Sequence, residues 1–131
     1  MKILFVCVEN AGRSQMAEAF ARRYAKGRVE ASSAGTMPAG EVNSVVVEAM
    51  REKGIDISSS KPKLLTLQMI QEADRVIVMG CGDARGFCPA PLLKKVEDWE
   101  LEDPKGKPLE KVREIRDEIE RRVRKLIDEA L

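Results

Sequence analysis

The run KILFVC at residues 2–7 limits the fold more than any other stretch. It is β-branched and apolar on both faces, so as a strand it must be covered on both sides. That is the place of a central strand in a parallel sheet. The segments after it alternate in period. SQMAEAFARRYAK (14–26) puts Met16, Ala17, Phe20, Ala21 and Tyr24 at helical spacing, with Ser14 as the expected N-cap and Gly27 as the stop. RVEASSAG (28–35) reads as a second strand running into a glycine turn. Residues 42–53 carry Val42, Val45, Val46, Ala49 and Met50 on one helical face, closed by Gly54, and 64–73 reads as a short helix. DRVIVMG (74–80) and LLKKVED (92–98) supply strands three and four. Leu109, Val112, Ile115, Ile119, Val123 and Leu126 stripe a last helix over 109–130, whose charges form a solvated face.

Strands alternating with helices require right-handed crossovers and a parallel sheet. The expected fold is therefore α/β: one domain over 1–131, with a four-stranded parallel sheet in the flavodoxin-like order 2-1-3-4, flanked by helices. Ligands of such sheets bind past the carboxyl ends of the strands, at the switch point between strands 1 and 3. The chain has 23 basic and 22 acidic residues, a net charge of +1, so nothing global points to nucleic acid or a membrane surface. No apolar stretch approaches the roughly 18 residues of a membrane span. The apolar residues after Lys2 are too few for a secretory leader, and the expected location is the cytoplasm. Nothing in the sequence requires more than a monomer.

Cys7 closes the first strand, and CVENAGRS follows it into the first helix. Backbone N–H groups of a short loop at a helix N-terminus form an anion nest, and the helix dipole adds positive potential. Asn10 tolerates left-handed dihedrals and Gly12 a sharp turn. The planar fork of Arg13 matches two oxygens of a tetrahedral oxyanion. Ser14 can donate to the Cys7 sulfur. Together these lower a thiol pKa from about 8.5 toward the range of cysteines at helix N-termini beside cations. A lone cysteine in such a strand would more simply be a small hydrophobe. Arginine six residues on, serine seven on and a helix starting in register favour a nucleophile beneath an oxyanion site formed by Val8, Glu9, Asn10, Ala11, Gly12, Arg13 and Ser14.

This stretch resembles the C-x5-R-S phosphate loop of the low-molecular-weight tyrosine phosphatases and of the arsenate reductases built on that fold. The resemblance runs from CVENAGRSQMAEA through SSAG, GIDIS and CGDARGFCP to EDP. It implies that Asp103, in the Asp103-Pro104 pair, is a general acid, although an Asp-Pro pair alone is most simply a turn.

The remaining cysteines, Cys81 and Cys88, flank GDARGF. With no histidine, this spacing does not suit a structural zinc site, and no metal is expected. Two unrelated buried cysteines are a second possibility. The pattern is similar to that of the thioredoxin-coupled arsenate reductases, and the resemblance implies a relay. Cys7 attacks arsenate, Asp103 protonates the departing oxygen, Cys81 attacks Cys7 to release arsenite, and Cys88 resolves Cys81. Adjacent strands 1 and 3 lie about 4.8 Å apart, compatible with a Cys7–Cys81 disulfide. Thioredoxin or a similar dithiol would reduce the Cys81–Cys88 pair, with no cofactor, and phosphate or sulfate would compete with arsenate. A tyrosine phosphatase working through a Cys7 phosphoenzyme would need neither Cys81 nor Cys88. A cysteine phosphocarrier domain would leave Arg13 and Asp103 without a purpose.

Two positions depart from the family pattern. Glu9 stands where the relatives have glycine, and its side chain is expected to point away from the anion. Some related reductases hold potassium beside the loop with residues matching Asn10, Glu18 and Ser33, but the position of a further acidic ligand is Lys63. The expectation is that the Lys63 ammonium replaces the ion, pairs with Glu18 and bonds to Ser33 and the Asn10 side-chain oxygen.

Overall fold

The computed structural model describes residues 1–80 and 96–130. Strand β1 spans Lys2–Cys7, followed by helix α1 (Arg13–Ala25), β2 (Glu30–Gly35), α2 (Ser44–Arg51), α3 (Leu67–Glu72), β3 (Arg75–Val78), β4 (Val96–Asp98) and α4 (Leu109–Ala130). All strand pairs are parallel, and the sheet order is β2-β1-β3-β4, as the alternation required. The register sets Cys7 opposite Gly35 and Val6 opposite Val78, so β1 lies between the second and third strands. Of β4, the expected residues 92–95 lie outside the described part of the chain.

The core forms where both sheet faces are covered. Ile3, Leu4, Phe5 and Val6 are each about 1% exposed or less, confirming β1 as the central strand. One cluster joins them to Met16 and Phe20 of α1, Val46 and Met50 of α2, and Ile119 and Val123 of α4. Burying such side chains is worth about 1.5–3 kcal/mol each. Helix α4 packs on both α1 and α2 and exposes the opposite, charged face. Among the described residues no helix is long and apolar enough to cross a membrane.

Three boundaries differ from the sequence reading. Helix α1 starts at Arg13 and its N-cap is Gly12, with no side-chain cap, so Ser14 is not the cap. Helix α2 begins two residues late because Asn43 caps it, its side chain accepting from the N–H groups of Val45 and Val46. Leu64 is not helical: it bridges to Gly35 as extended chain, and Thr66 caps α3. A side chain that offers an orphan helix N–H an acceptor stops the helix there, whatever the apolar period upstream.

Candidate active site

The backbone of residues 7–12 is held from outside. The carbonyl oxygens of Cys7, Val8, Glu9 and Ala11 accept from the N–H groups of Thr36, Met37, Ala39 and Asn43 at 3.2, 2.8, 3.0 and 2.9 Å. The Asn10 carbonyl accepts from Gln15 Nε2 at 3.1 Å, and the Gly12 carbonyl accepts from the Met16 N–H at 3.0 Å. In a trans peptide the following N–H points opposite to the carbonyl. With every carbonyl from 7 to 12 turned outward, the N–H groups of residues 8–13 face inward. This is the geometry of an anion nest feeding a helix N-terminus.

Asn10 organises the loop from φ 52°, the left-handed conformation foreseen for it. Its side chain is completely buried. Oδ1 accepts from the Lys63 backbone N–H at 2.9 Å and from Gln15 Nε2 at 3.1 Å. That fixes the amide orientation, so Nδ2 donates to Ser14 Oγ at 2.7 Å. A hydroxyl has one hydrogen. The Ser14 oxygen also lies 2.8 Å from Cys7 Sγ, and when Cys7 is a thiolate the Ser14 hydrogen is donated to it. The Asn10 N–H also reaches the sulfur, at 3.2 Å. Two donors aimed at one buried sulfur favour the thiolate over the thiol. Ser14 thus serves the thiol rather than the helix end.

Arg13 is almost buried, and its Nη1 donates to the carbonyls of Met79 and Leu101, both at 2.7 Å. Its Nη2 lies 3.7 Å from Asp103 Oδ2. Asp103 is largely exposed, and its Oδ1 accepts from the Lys105 N–H at 3.0 Å. Pro104 lies over the loop: a Cβ on Gly12 would sit 2.9 Å from Pro104 Cγ. Gly12 is therefore needed for close approach, and its φ of −141° is negative. Cys7, Arg13 and Asp103 thus share one cleft, with Cys7 at its floor and Glu9, Asp103 and Lys105 at its rim, while Ser14 lies buried behind the sulfur. The Glu9 carboxylate stands at the rim of that cleft and accepts from Lys105 Nζ at 2.7 Å.

Behind the loop, Glu18 is buried on α1. Its Oε1 accepts from the Ser33 hydroxyl at 3.0 Å and lies 3.7 Å from Lys63 Nζ, and its Oε2 lies 3.5 Å from Arg22 Nη2. The expected Lys63–Glu18 pair is present, but the rest of that expectation needs correcting. Asn10 Oδ1 is taken by the Lys63 backbone N–H, and the Ser33 hydroxyl is directed at Glu18. The half-exposed ammonium therefore meets the carboxylate alone. No cluster of three or more metal-ligating side chains exists among the described residues.

Three contributors escaped the sequence reading. Gly35 was read as a turn, yet a Cβ there would lie 2.5 Å from the Val8 carbonyl oxygen and 2.9 Å from the Asn10 N–H nitrogen. Gln15 is buried and links Asn10 to the Lys61 carbonyl. A glutamine beside Met16 on a core-facing helix was the available signal. Lys105 carried no signal beyond following Asp-Pro. Cys81 and Cys88 lie outside the described residues. The β1–β3 register ends with Val6 opposite Val78, three residues before Cys81 in the chain.

The model of the family described as low molecular weight phosphotyrosine protein phosphatase matches residues 2–131. The chain belongs to that family. Within it, a protein named putative arsenate reductase from Halobacterium salinarum is 45% identical over 133 residues, spanning 98% of this chain and 92% of its own. The solved thioredoxin-dependent arsenate reductase of Corynebacterium glutamicum is 44% identical with a TM-score of 0.82, covering 99% of this chain and 63% of that one. A low molecular weight protein tyrosine phosphatase from T. tengcongensis superposes with a TM-score of 0.89 at 32% identity, covering 98% and 99%. The phosphatase fold implied by the loop resemblance, with the strand order expected from the alternation, is thus the family's own.

Proposed function

We propose that the chain is an arsenate reductase whose three cysteines pass two electrons to arsenic. The observation that carries the chemistry is the Asn10–Ser14–Cys7 chain of hydrogen bonds, which places a stabilised sulfur below the inward N–H groups. Arsenate sits against those groups, from Val8 to Ser14, with the Arg13 guanidinium beside it. The Cys7 sulfur bonds to arsenic, and an oxygen leaves as water with a proton from Asp103. Cys81 then attacks the Cys7 sulfur. The S–As bond breaks, its electron pair stays on arsenic, and arsenite departs, leaving a Cys7–Cys81 disulfide. Cys88 exchanges onto Cys81, freeing Cys7. Thioredoxin or a similar external dithiol reduces the Cys81–Cys88 pair, so the cycle uses thiols alone and no cofactor. Glu18, Ser33 and Lys63 support the loop from behind.

The named reductase relatives and the presence of both Cys81 and Cys88 favour this reading. The phosphatase reading keeps one specific support, the superposition on a tyrosine phosphatase, and uses the same Cys7, Arg13 and Asp103. NADPH consumption with arsenate, thioredoxin and its reductase separates the two. Reduction is expected over many turnovers, and Cys88→Ser should stall after about one. No arsenate-dependent consumption, with turnover of an aryl phosphate instead, would establish the phosphatase.

A further inference from the structure

The rim of the cleft carries an ion pair that the chemistry at Cys7 does not use. Glu9 belongs to the loop, Lys105 to the segment that brings Asp103, and their 2.7 Å contact joins the two across the mouth. Both ends are anchored. The Glu9 carbonyl accepts from the Ala39 N–H, and the Lys105 N–H donates to Asp103 Oδ1. Pro104, between Asp103 and Lys105, lies against Gly12. Glu9 and Lys105 line the same cleft as Cys7 and Arg13. A free tetrahedral ion, once inside, is enclosed by the loop and Arg13, and the pair can re-form above it. An ester with its phosphoryl group on the loop must carry its organic group out through the mouth, so the pair stays broken.

We infer that the Glu9–Lys105 pair sets the specificity of the Cys7 site, favouring free tetrahedral oxyanions over esters that carry a bulky organic group. The inference deepens the reading of this site as one that reduces a free oxyanion. The size of the effect follows from the setting. An exposed ion pair contributes modestly, so the discrimination is about three- to fivefold rather than many orders. Hydrogen bonding and charge from Glu9 push the Lys105 ammonium above its ordinary pKa, which keeps the pair charged through neutral pH.

The test needs no turnover. Protection of Cys7 from alkylation, located by peptide mass, gives apparent affinities for inorganic phosphate and for phenyl phosphate. Both are multiply charged anions, so loss of one cation affects them alike and largely cancels in their ratio. Wild type should prefer phosphate. Lys105→Met should shift the ratio about three- to fivefold toward phenyl phosphate. The exchanged pair, Glu9→Lys with Lys105→Glu, should return the ratio to within about twofold of wild type, because it restores the contact with opposite signs. An unchanged ratio in Lys105→Met overturns the inference, as does an exchanged pair that behaves like Lys105→Met. Equal weakening of both ligands also overturns it, since Lys105 would then serve only as a general attractor of anions. Failure of wild type to reduce arsenate would remove the proposed reaction while leaving this ratio to judge the pair.

Discussion

At the loop, Asn10, Ser14 and Gln15 are at most 1% exposed, and the Asn10 amide accepts from Gln15 and donates to Ser14. At the seam between α2 and α4, the charges are larger and the surroundings wetter. Glu52 takes Arg113 in a two-pronged contact and Arg116 at 2.7 Å, while Lys53 reaches Glu120 at 3.1 Å. The Glu52 and Arg113 side chains remain 35% and 43% exposed. The loop uses neutral groups out of water, where an unmade bond costs the full desolvation of its partner. The seam sets a buried Arg116 beside exposed ions such as Arg113, whose lost partner is replaced by solvent. Precise placement of a sulfur and an anion demands the first arrangement. Holding two helices together tolerates the second.

The sharpest way to break this contrast is at the rim, where an exposed residue carries chemistry. Asp103→Asn keeps the acceptor for the Lys105 N–H but removes the acid. It should slow the first chemical step by roughly 10²–10⁴ in single-turnover assays, with little change in melting temperature. A similar fall in stability would place Asp103 with the structural charges.

Asn10→Ala tests the buried side directly. It strands the Lys63 N–H and removes the donor that orients Ser14, so a loss of about 2–3 kcal/mol is expected in urea titrations. The pH dependence of Cys7 alkylation should move upward, since the Ser14 hydrogen is no longer directed at the sulfur. A stable variant with an unaltered alkylation profile would show that the chain of bonds does not reach the thiol.

The seam, and the ion pairs within α4, should respond to acid. Arg113 and Arg116 hold Glu52 at about 2, and Arg121 and Arg122 hold Glu118 at about 2, both below the usual carboxylate range. Their stabilisation is complete above the unfolded value near 4.5 and disappears as pH falls toward 2. Thermal melts between pH 5 and 2 should show this decline, and Arg113→Ala should flatten part of it. The smallest effect belongs to Lys63→Ala. Its half-exposed ammonium is backed by Arg22 on the same carboxylate, so the loss should stay below about 1 kcal/mol. A larger loss would place that pair with the buried network.

The features legible from sequence are those within reach of the local chain. Cys7, Asn10, Arg13 and Ser14 lie within eight residues, so the strand rise and helix turn alone bring them together, and the alternation of periods sets the sheet order. The apolar period could not show where caps would stop helices, and so it overran at residues 42–43 and 64–66.

Residues 2–7 and their neighbours by themselves determined a parallel sheet with a thiol at its switch point, because burial on both faces and chain connectivity permit little else. Only the tertiary structure decided what encloses that thiol. The Arg13 bond to Leu101 spans 88 residues, and the Glu9–Lys105 pair spans 96. Gly35 has meaning only because the β1–β2 register drives the Val8 carbonyl against it. Such contacts depend on register and crossover geometry, which place residues within ångströms of one another without leaving any spacing rule in the chain.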